Sequence, residues 1–345
     1  MTGSASPARA RRRATLKDVA QAAGVSQSTT SRALSGHGYV APAVRDRIRA
    51  TAEQLGYVPH AMARSLRQQV SRSIGVLVSD LRNGSYADLA AGVAGRAAAH
   101  GYTTMLVDDR GSSEDELSAA RRFVSTRAAG VIVTPLSAEV SSYLLAQQVP
   151  LVEVDRHFLP GACDAVVVDN RRVAFRVTEQ LVALGHRRIA LLIHETEGLT
   201  GAERLLGYRQ ALAAACLPDR PELLIRGGWD AGSARAATLE LLARPVRPTA
   251  LVAANHVLAE GMWLAVTDLG LRVPAELSVV SFDDERWMSM VRPGVTAVAS
   301  DVFALGSAAV DRLLARIAQP DEAPQTVTLE AQILPRGSTA APHQR

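Results

Sequence analysis

Short apolar runs alternate with longer helical stretches through most of this chain, and this alternation limits the folds it can adopt more than any other feature. Runs rich in β-branched residues begin in two groups of four, near Ile74, Thr103, Val131 and Leu151 and then near Ile189, Leu223, Ala250 and Ser278. Within each group the starts lie 20–34 residues apart, which is typical of βαβ units. The pattern predicts parallel sheets covered by helices on both faces.

The number of predicted strands is too large for one compact sheet. A further run at Ala165–Val168 leads into Asp169. We therefore predict an α/β body made of two Rossmann-like parallel-sheet subdomains of similar size. The chain has 345 residues, 48% of them hydrophobic, so it is long enough to bury the cores of such a body.

Polar side chains follow most of the predicted strands at the point where each strand ends. They are Ser79 and Asp80, Asp108 to Arg110, Asp155 and Arg156, His194 and Glu195, Asn255 and His256, and Asp283 and Asp284. In open α/β sheets, ligands bind beyond the carboxyl ends of the strands, so this set predicts one polar ligand-binding cleft. Taken alone, each residue is equally compatible with an ordinary helix cap.

The charge of the chain is unevenly distributed. The first 72 residues carry a net charge of +9 at pH 7, whereas the remaining 273 carry −5. This difference in charge between the N-terminal part and the body predicts that the N-terminal part binds a polyanion. Its first 14 residues have the small, polar and arginine-rich composition of a disordered basic tail.

Two short helices joined by a turn are predicted after this tail. Thr15 and Asp18 form the pattern of a helix N-cap with an acid in the first turn, and Gly24 favours the end of that helix. Ser26 can cap a second helix from about Gln27 to Leu34. This is the helix-turn-helix unit. The second helix is rich in short polar side chains, which make a poor isolated helix but suit contacts with base edges in a major groove.

A third helix is predicted from about Pro42 to Leu55, with proline in its first turn. The residues predicted to face inward are Val44, Ile48, Ala52 and Leu55. The preceding stretch from Gly36 to Ala41 matches G-x-G-x-x-A, but it follows a helix rather than a strand. The dinucleotide-binding interpretation therefore lacks the structural context that it requires.

Several protein classes are excluded by features that the sequence lacks. Cys163 and Cys216 have no zinc-ribbon spacing, and so few cysteines favour a reducing cytoplasm. No apolar run approaches ~18 residues, and the residues before Thr15 do not resemble a secretory signal. The chain contains no G-x-S-x-G, no P-loop and no H-E-x-x-H motif. We therefore expect a cytoplasmic protein that is not an enzyme and has no catalytic residues, no metal ligands and no cofactor.

Three stretches of the sequence carry a resemblance to a known family. They are TLKDVAQAAGVSQSTTSRALSG from Thr15, VRDRIRATAEQLGYVPHAMARSL from Val44 and IGVLVSD from Ile74. From Thr15 to about Thr339 the chain resembles the lactose-repressor (LacI/GalR) family of bacterial transcription regulators. The resemblance implies a helix-turn-helix head, a hinge helix and a body similar to periplasmic sugar-binding proteins. It also implies a sequence-specific DNA-binding regulator, a repressor, whose operator affinity is controlled by a small effector bound between the two body subdomains.

The resemblance implies the following division of the chain. Residues 1–14 are the tail, 15–59 the helix-turn-helix domain, 60–72 the hinge helix and linker, 73–339 the effector-binding domain and 340–345 a second tail. Within the effector-binding domain, the N-subdomain takes about 73–168 and 302–330, and the C-subdomain about 169–299 and 331–339. The chain is thus expected to cross between subdomains near 168–170, 299–301 and 330.

The resemblance also assigns residues to DNA. The DNA-binding candidates are Gln27, Ser28, Thr29, Ser31, Arg32, Tyr39, His60, Arg64 and Leu66. Leu66 matches a leucine that enters the central minor groove of the operator and kinks the duplex, as apolar wedges do. The implied partner is a pseudo-palindromic double-stranded operator bound by a homodimer near the nucleoid, with no membrane involved.

The effector-binding candidates lie in the body. Ser79 is one of the polar residues that follow predicted strands, and the resemblance implies Arg110, Asp155, Arg204, Trp229, Asn255 and Asp283. Arg, Asp and Asn offer paired donors and acceptors for vicinal hydroxyls, and an indole face packs on the apolar face of a pyranose. We therefore expect a sugar or sugar derivative. A nucleobase or a sugar phosphate remains an alternative effector, because one fold hosts many ligands. A sugar-binding protein with no role in gene regulation remains the alternative function.

Overall fold

The chain divides after Ser71 into two units, Met1–Ser71 and Arg72–Arg345. The computed structural model describes residues 14–35, 38–57, 71–194 and 199–343. The hinge helix predicted at 60–67 lies outside these residues. Within the described ranges, no helix has the length and apolar character needed to cross a membrane.

The described part of the first unit is helical. Its helices are α1 (Leu16–Ala22), α2 (Gln27–Ser35) and α3 (Pro42–Gln54). As predicted, Thr15 caps α1: its side chain accepts from the amide of Asp18, and its own amide donates to the Asp18 carboxylate at 2.8 Å. Ser26 likewise accepts from the amide of Thr29 at 3.1 Å. Gly24, with φ +63°, makes the turn between α1 and α2 in a conformation that glycine adopts without steric cost.

A small apolar core holds these three helices together. Val19, Ala33 and Ile48 are fully buried at its centre. The prediction that Leu55 faces inward is wrong, since its side chain is 41% exposed. The reason is that α3 ends at Gln54, so Leu55 lies at the C-cap and leaves the helical periodicity, while Tyr57 packs against the core instead.

The second unit contains two sheets. Its strands are β1 (Ser73–Val78), β2 (Thr103–Asp108), β3 (Gly130–Val133), β4 (Leu151–Val154), β5 (Asp164–Val168), β6 (Ile189–Ile193), β7 (Leu224–Arg226), β8 (Ala250–Ala253), β9 (Ser278–Phe282), β10 (Thr296–Ala299), β11 (Thr326–Leu329) and β12 (Gln332–Leu334). The first sheet has the order β11-β5-β4-β3-β1-β2 and is parallel throughout. The second has the order β12-β10-β9-β8-β6-β7 and is parallel except for β12. The predicted α/β fold of two Rossmann-like subdomains is confirmed.

Helices connect the strands and cover the sheets. They are α4 (Gly84–Ala99), α5 (Ser113–Ser125), α6 (Ala138–Ala146), α7 (Asn170–Ala183), α8 (Leu199–Ala214), α9 (Ala231–Ala243), α10 (His256–Asp268), α11 (Arg286–Met290) and α12 (Val302–Ala318). Their inward faces and the central strands form the apolar core. Leu89 on α4 and Leu313 on α12, for example, are fully buried.

The chain passes between the two sheets after β5, after β10 and after β11. The second passage returns it to the first sheet, where α12 packs against α4 and β11 pairs with β5. The two helices touch backbone to backbone: a Cβ atom added at Gly92 would lie 2.2 Å from the carbonyl oxygen of Phe303, and one added at Gly306 would lie 2.2 Å from that of Leu89. Glycine at both positions is therefore a requirement of this packing.

Candidate functional site

A cleft of about 1430 Å³ lies among residues that follow strands of both sheets. This volume exceeds the roughly 300–1,000 Å³ of most small-molecule sites. It brings together all of the predicted effector-binding residues. These are Ser79, Arg110, Asp155, Arg204, Trp229, Asn255 and Asp283. The strand-end positions converge because parallel strands of one sheet end at the same edge.

Arg204 of α8 is buried in the cleft and is held by several elements. Its Nε donates to Oδ1 of Asn170 at 2.8 Å, and its Nη1 donates to the carbonyl oxygen of Ala254. The guanidinium lies over the ring of Phe282, 4.3 Å from the centroid, and Nη2 is 3.9 Å from Oδ1 of Asp283. A planar guanidinium is suited to simultaneous hydrogen bonding and stacking. Arg204 is thus a donor with a fixed orientation.

The close approach of α8 to α7 places Arg204 at this position. A Cβ atom added at Gly207, three residues further along α8, would lie 2.1 Å from the carbonyl oxygen of Arg171. Glycine therefore allows the two helices to approach closely, and Asn170 at the start of α7 comes within hydrogen-bonding distance of Arg204. Asp169 caps α7 by accepting from the amide of Arg172 at 3.0 Å.

Asp283 follows β9 in the left-handed region, with φ +64°, and is paired with His256. Its Oδ2 accepts from the His256 amide at 3.3 Å and lies 3.2 Å from Nδ1 of the ring. Burial acts to raise the pKa of Asp283, but the hydrogen bond from His256 and the nearby Arg204 charge outweigh it and hold this pKa below its usual value. Burial acts to lower the pKa of His256, and Asp283 reverses that shift and raises it. The pair therefore favours the charged forms of both groups.

Asp155 follows β4, also with positive φ, +67°. Burial raises its pKa in spite of the nearby charges of Arg156 and Arg204. Arg156 is itself engaged, since Nη2 donates to the hydroxyl of Tyr86 at 3.2 Å and Nη1 to the carbonyl oxygen of Pro135 at 3.3 Å. A partly desolvated carboxylate of this kind gains from donors that a ligand brings to it.

Three of the predicted residues also have structural partners. The hydroxyl of Ser79 donates to the carbonyl oxygen of Thr134 at 3.3 Å. Asn255 caps α10, because its Oδ1 accepts from the amide of Leu258 at 2.8 Å. Arg110 pairs with Asp115, 2.8 Å away, and is largely exposed. The helix-cap interpretation is therefore correct for the oxygen of Asn255, although Asn255 also lines the cleft.

Trp229 is the exposed aromatic residue of the cleft. Its side chain is 70% exposed, and its ring meets that of His194 edge to face, with centroids 4.4 Å apart. A largely exposed indole can receive the apolar face of a flat, amphipathic ligand.

Sequence reasoning missed three residues that shape the cleft. Asn170 and Phe282 hold Arg204, and Tyr86 accepts from Arg156. Asn170 lies two residues beyond β5, so the strand-end rule could have found it. Phe282 belongs to an apolar strand, and Tyr86 lies on the apolar face of α4, so neither carries a local signal of function.

The candidate DNA-binding residues lie on α2 and after it, in the first unit. Gln27, Ser28 and Arg32 are exposed, whereas Thr29 and Ser31 are half-buried. The hydroxyl of Ser26 lies 2.8 Å from that of Ser28 and 2.9 Å from that of Thr29. Tyr39 is 85% exposed. His60, Arg64 and Leu66 lie outside the described residues.

Comparison with protein families gives two matches. Residues 15–60 match the model of bacterial regulatory proteins of the lacI family. Residues 178–339 match the periplasmic binding protein-like domain. The first range contains the three described helices of the first unit, and the second range contains Arg204, Trp229, Asn255 and Asp283.

Individual relatives resemble nearly the whole chain. The HTH-type transcriptional regulator AscG of Escherichia coli strain K12 is 30% identical, over 95% of this chain and 99% of its own. A lac repressor dimer bound to operator and the anti-inducer ONPF is 29% identical, with a TM-score of 0.86, over 96% of this chain and 100% of that one. A complex of the transcriptional regulator CelR with cellobiose is 27% identical, with a TM-score of 0.71, over 94% and 100% of the two chains.

Proposed function

Because the chain belongs to the LacI family of bacterial regulatory proteins, it is a DNA-binding transcriptional regulator with an effector-binding domain and not an enzyme, and we propose that its effector is a sugar or sugar derivative. The observation that carries this proposal is the fixed position of Arg204 beside Asp283, with Asp155 in the same cleft. Paired donors and acceptors of this kind match the vicinal hydroxyls of a carbohydrate.

The charges of the cleft favour a neutral polyhydroxyl ligand over a sugar phosphate. Arg204 and Arg156 are already bonded to protein acceptors, while Asp155 and Asp283 both line the cleft. A phosphate dianion would meet two carboxylates there, and like charges at close range are costly. The exposed face of Trp229 suits the apolar face of a pyranose. The structure of a relative with cellobiose is consistent with this ligand class.

We propose that residues 15–59 bind DNA and that residues 60–72 form a hinge helix and linker to the effector-binding domain. Two heads of a homodimer would bind the two half-sites of a pseudo-palindromic operator in adjacent major grooves. Helix α2 would enter the groove with Tyr39 close to the DNA. Leu66 would open the central minor-groove step, and His60 and Arg64 would contact the DNA beside it. This role places the protein with the nucleoid in the cytoplasm.

The coupling between the two sites follows from linkage. A sugar that binds one conformation of the body better than the other shifts the population toward it. We propose that effector binding closes the two subdomains on each other and destabilises the hinge helices, so that operator is released. Leu66→Ala should then weaken operator binding severely and leave sugar binding intact. Equal operator affinity of variant and wild type would exclude the wedge.

The experiment that tests the effector class is a thermal-shift screen followed by a gel shift. The full chain is heated with a panel of monosaccharides, disaccharides, sugar phosphates and nucleobases. A ligand at 100 times its Kd adds about 2.7 kcal/mol of stability. Each stabilising compound is then added to a complex with DNA from upstream of the regulator's own gene. Stabilisation by sugars together with a change in DNA retention supports the proposal, and a response confined to nucleobases or phosphates contradicts it.

A further inference from the structure

Three potential metal ligands that are not among the effector-binding candidates lie close together in and just after β4. Glu153 belongs to β4, and His157 and Cys163 lie in the segment between β4 and β5. Their ligand atoms all lie within 4.8 Å of one another, and Nδ1 of His157 is 2.7 Å from Oε2 of Glu153. In the ranges 14–35, 38–57, 71–194 and 199–343, no other three such residues cluster in this way.

The three side chains of the cluster are buried. Glu153 is fully buried, Cys163 is 4% exposed, and only 12% of the His157 side chain is exposed. Among the ion pairs of the described residues, Glu153 has His157 as its single partner. A buried carboxylate is costly unless a cation or several hydrogen bonds compensate it. The hydrogen bonds that Glu153 accepts meet this condition, so Glu153 is held as an anion that can ligate a divalent cation.

Neighbouring groups fix the orientation of Glu153. The hydroxyl of Ser141 donates to Oε1 at 2.6 Å, and the amide of Phe158 donates to Oε2 at 2.7 Å. The thiol of Cys163 faces the carbonyl oxygen of Leu159 at 3.9 Å. Hydrogen bonds to ligating carboxylates are a regular feature of metal sites, because they orient the ligands before the ion arrives.

We propose that Glu153, His157 and Cys163 bind one Zn²⁺ ion. Sulfur, imidazole nitrogen and carboxylate oxygen are the ligands that zinc takes in proteins, and a water molecule would complete the tetrahedron. Ligand atoms on a tetrahedral zinc lie roughly 3.3–3.8 Å apart, so the side chains need to move by only about 1 Å. Binding exchanges the thiol proton of Cys163, which goes to solvent, for the metal–sulfur bond.

The spacing of these ligands explains why the sequence predicted no metal site. The pattern E-x₃-H-x₅-C occupies a single segment and has no pair of closely spaced cysteines. The same segment carries Asp155 and Arg156 into the effector cleft. An ion bound here would therefore restrict the backbone that positions two residues of the cleft, and metal occupancy would reduce the mobility of residues 155–163.

Cobalt provides a direct test, because it replaces zinc and is coloured. The untagged full chain is titrated with Co²⁺ in a reducing buffer. We expect one Co²⁺ per chain, tetrahedral visible bands and a sulfur-to-metal charge-transfer band that Zn²⁺ abolishes. Cys163→Ser should remove the charge-transfer band and lower Zn²⁺ affinity about 100-fold or more. The matched control is Cys216→Ser at the exposed second cysteine, which should behave as wild type.

Two further measurements keep the proposal falsifiable if Cys163→Ser does not fold. His157→Gln retains a donor to Glu153 but removes the nitrogen ligand, so it should lower Zn²⁺ affinity by a similar factor. Zinc should also slow hydrogen exchange at residues 155–163 of the wild type. Absence of a charge-transfer band in the wild type, or its loss in Cys216→Ser instead of Cys163→Ser, would overturn the proposed site.

Discussion

Nε of Arg204 donates to Oδ1 of Asn170 across 2.8 Å, and Nδ2 of Asn170 donates in turn to the carbonyl oxygen of Val168 at 3.2 Å. Val168 is the last residue of β5, at the first passage of the chain between the two sheets. The principal cationic side chain of the cleft is therefore bonded, through one amide, to a backbone segment that must move when the subdomains move. A ligand that shifts the side chain of Arg204 would therefore shift Asn170 and the backbone of Val168 as well.

Arg204→Ala should abolish the effector response while operator binding persists. The change removes a buried guanidinium with hydrogen bonds to Asn170 and Ala254 and leaves Asp283 without this nearby charge. The charged hydrogen bonds that Arg204 would donate to the effector contribute about 3 kcal/mol, so their loss corresponds to a roughly 100-fold weaker effector affinity. Calorimetry with the sugar identified by screening measures this affinity.

A residue on the same helix provides the control for Arg204. Arg209 also lies on α8 but is exposed and pairs with Asp219 at the surface. Arg209→Ala should leave effector affinity unchanged, since exposed ion pairs contribute little. A normal response of Arg204→Ala would refute the role assigned to this side chain.

Glu116→Gln should stabilise the protein in alkaline but not in acidic solution. Burial raises the pKa of Glu116 from 4.5 to about 7, opposed by the hydrogen bond from the amide of Leu136. The folded state therefore holds an extra proton between these values, and stability is lost as the pH rises through this window. Glutamine keeps the acceptor for Leu136 and cannot ionise. We expect a gain of at most about 3 kcal/mol at pH 8 and little change at pH 5, measured by urea unfolding.

The exposed Glu114 on the same helix supplies the comparison for Glu116. Glu114→Gln should leave the midpoint of urea unfolding nearly unchanged at both pH 5 and pH 8. If Glu116→Gln shifted stability by the same amount at pH 5 and pH 8, ionisation of a buried carboxyl would not be the cause.

Gly306→Ala should destabilise the body. Its new methyl group would lie 2.2 Å from the carbonyl oxygen of Leu89, so α12 and α4 would have to separate, at a cost of about 1–3 kcal/mol. Gly95→Ala is the matched control on α4, because nothing lies within 4 Å of its added carbon, and it should stabilise the helix by about 0.5–1 kcal/mol. Thermal unfolding of both variants checks the pair, and equal midpoints would contradict backbone contact.

Arg32→Ala and Gln27→Ala should affect DNA binding in different ways. Arg32 is exposed on α2, with Nε 3.4 Å from the carbonyl oxygen of Ser28, and is expected to contact phosphate. Its loss should weaken binding to operator and unrelated DNA alike and reduce the salt slope by about 0.9. Gln27 is exposed at the start of α2 and is expected to contact a base edge, so its loss should cost about 1–3 kcal/mol on operator alone.

Fluorescence anisotropy at several salt concentrations distinguishes these two roles. The operator and an unrelated duplex of equal length are titrated with each variant. A loss confined to operator for Arg32→Ala, or one equal on both duplexes for Gln27→Ala, would reverse the proposed assignments.

The sequence was sufficient to predict the fold class because hydrophobic periodicity and parallel-sheet geometry leave few alternatives. The same geometry predicted that Ser79, Asp155 and Asp283 lie in one cleft, and they do. Hydrophobic periodicity could not predict β11, because that strand is largely exposed, or β12, because it has only three residues. It also could not place Phe282 beneath Arg204, because an aromatic residue in a buried strand has the same local pattern whether or not a cation lies over it.

The order of the strands has a consequence for synthesis on the ribosome. The first sheet begins at Ser73, yet its edge strand β11 ends at Leu329 and its covering helix α12 starts only at Val302. The second sheet has all strands but β12 by Ala299. The subdomain that begins first is thus completed almost last. During translation, the apolar face of α4 that α12 covers stays exposed until residues more than two hundred positions downstream have been synthesised.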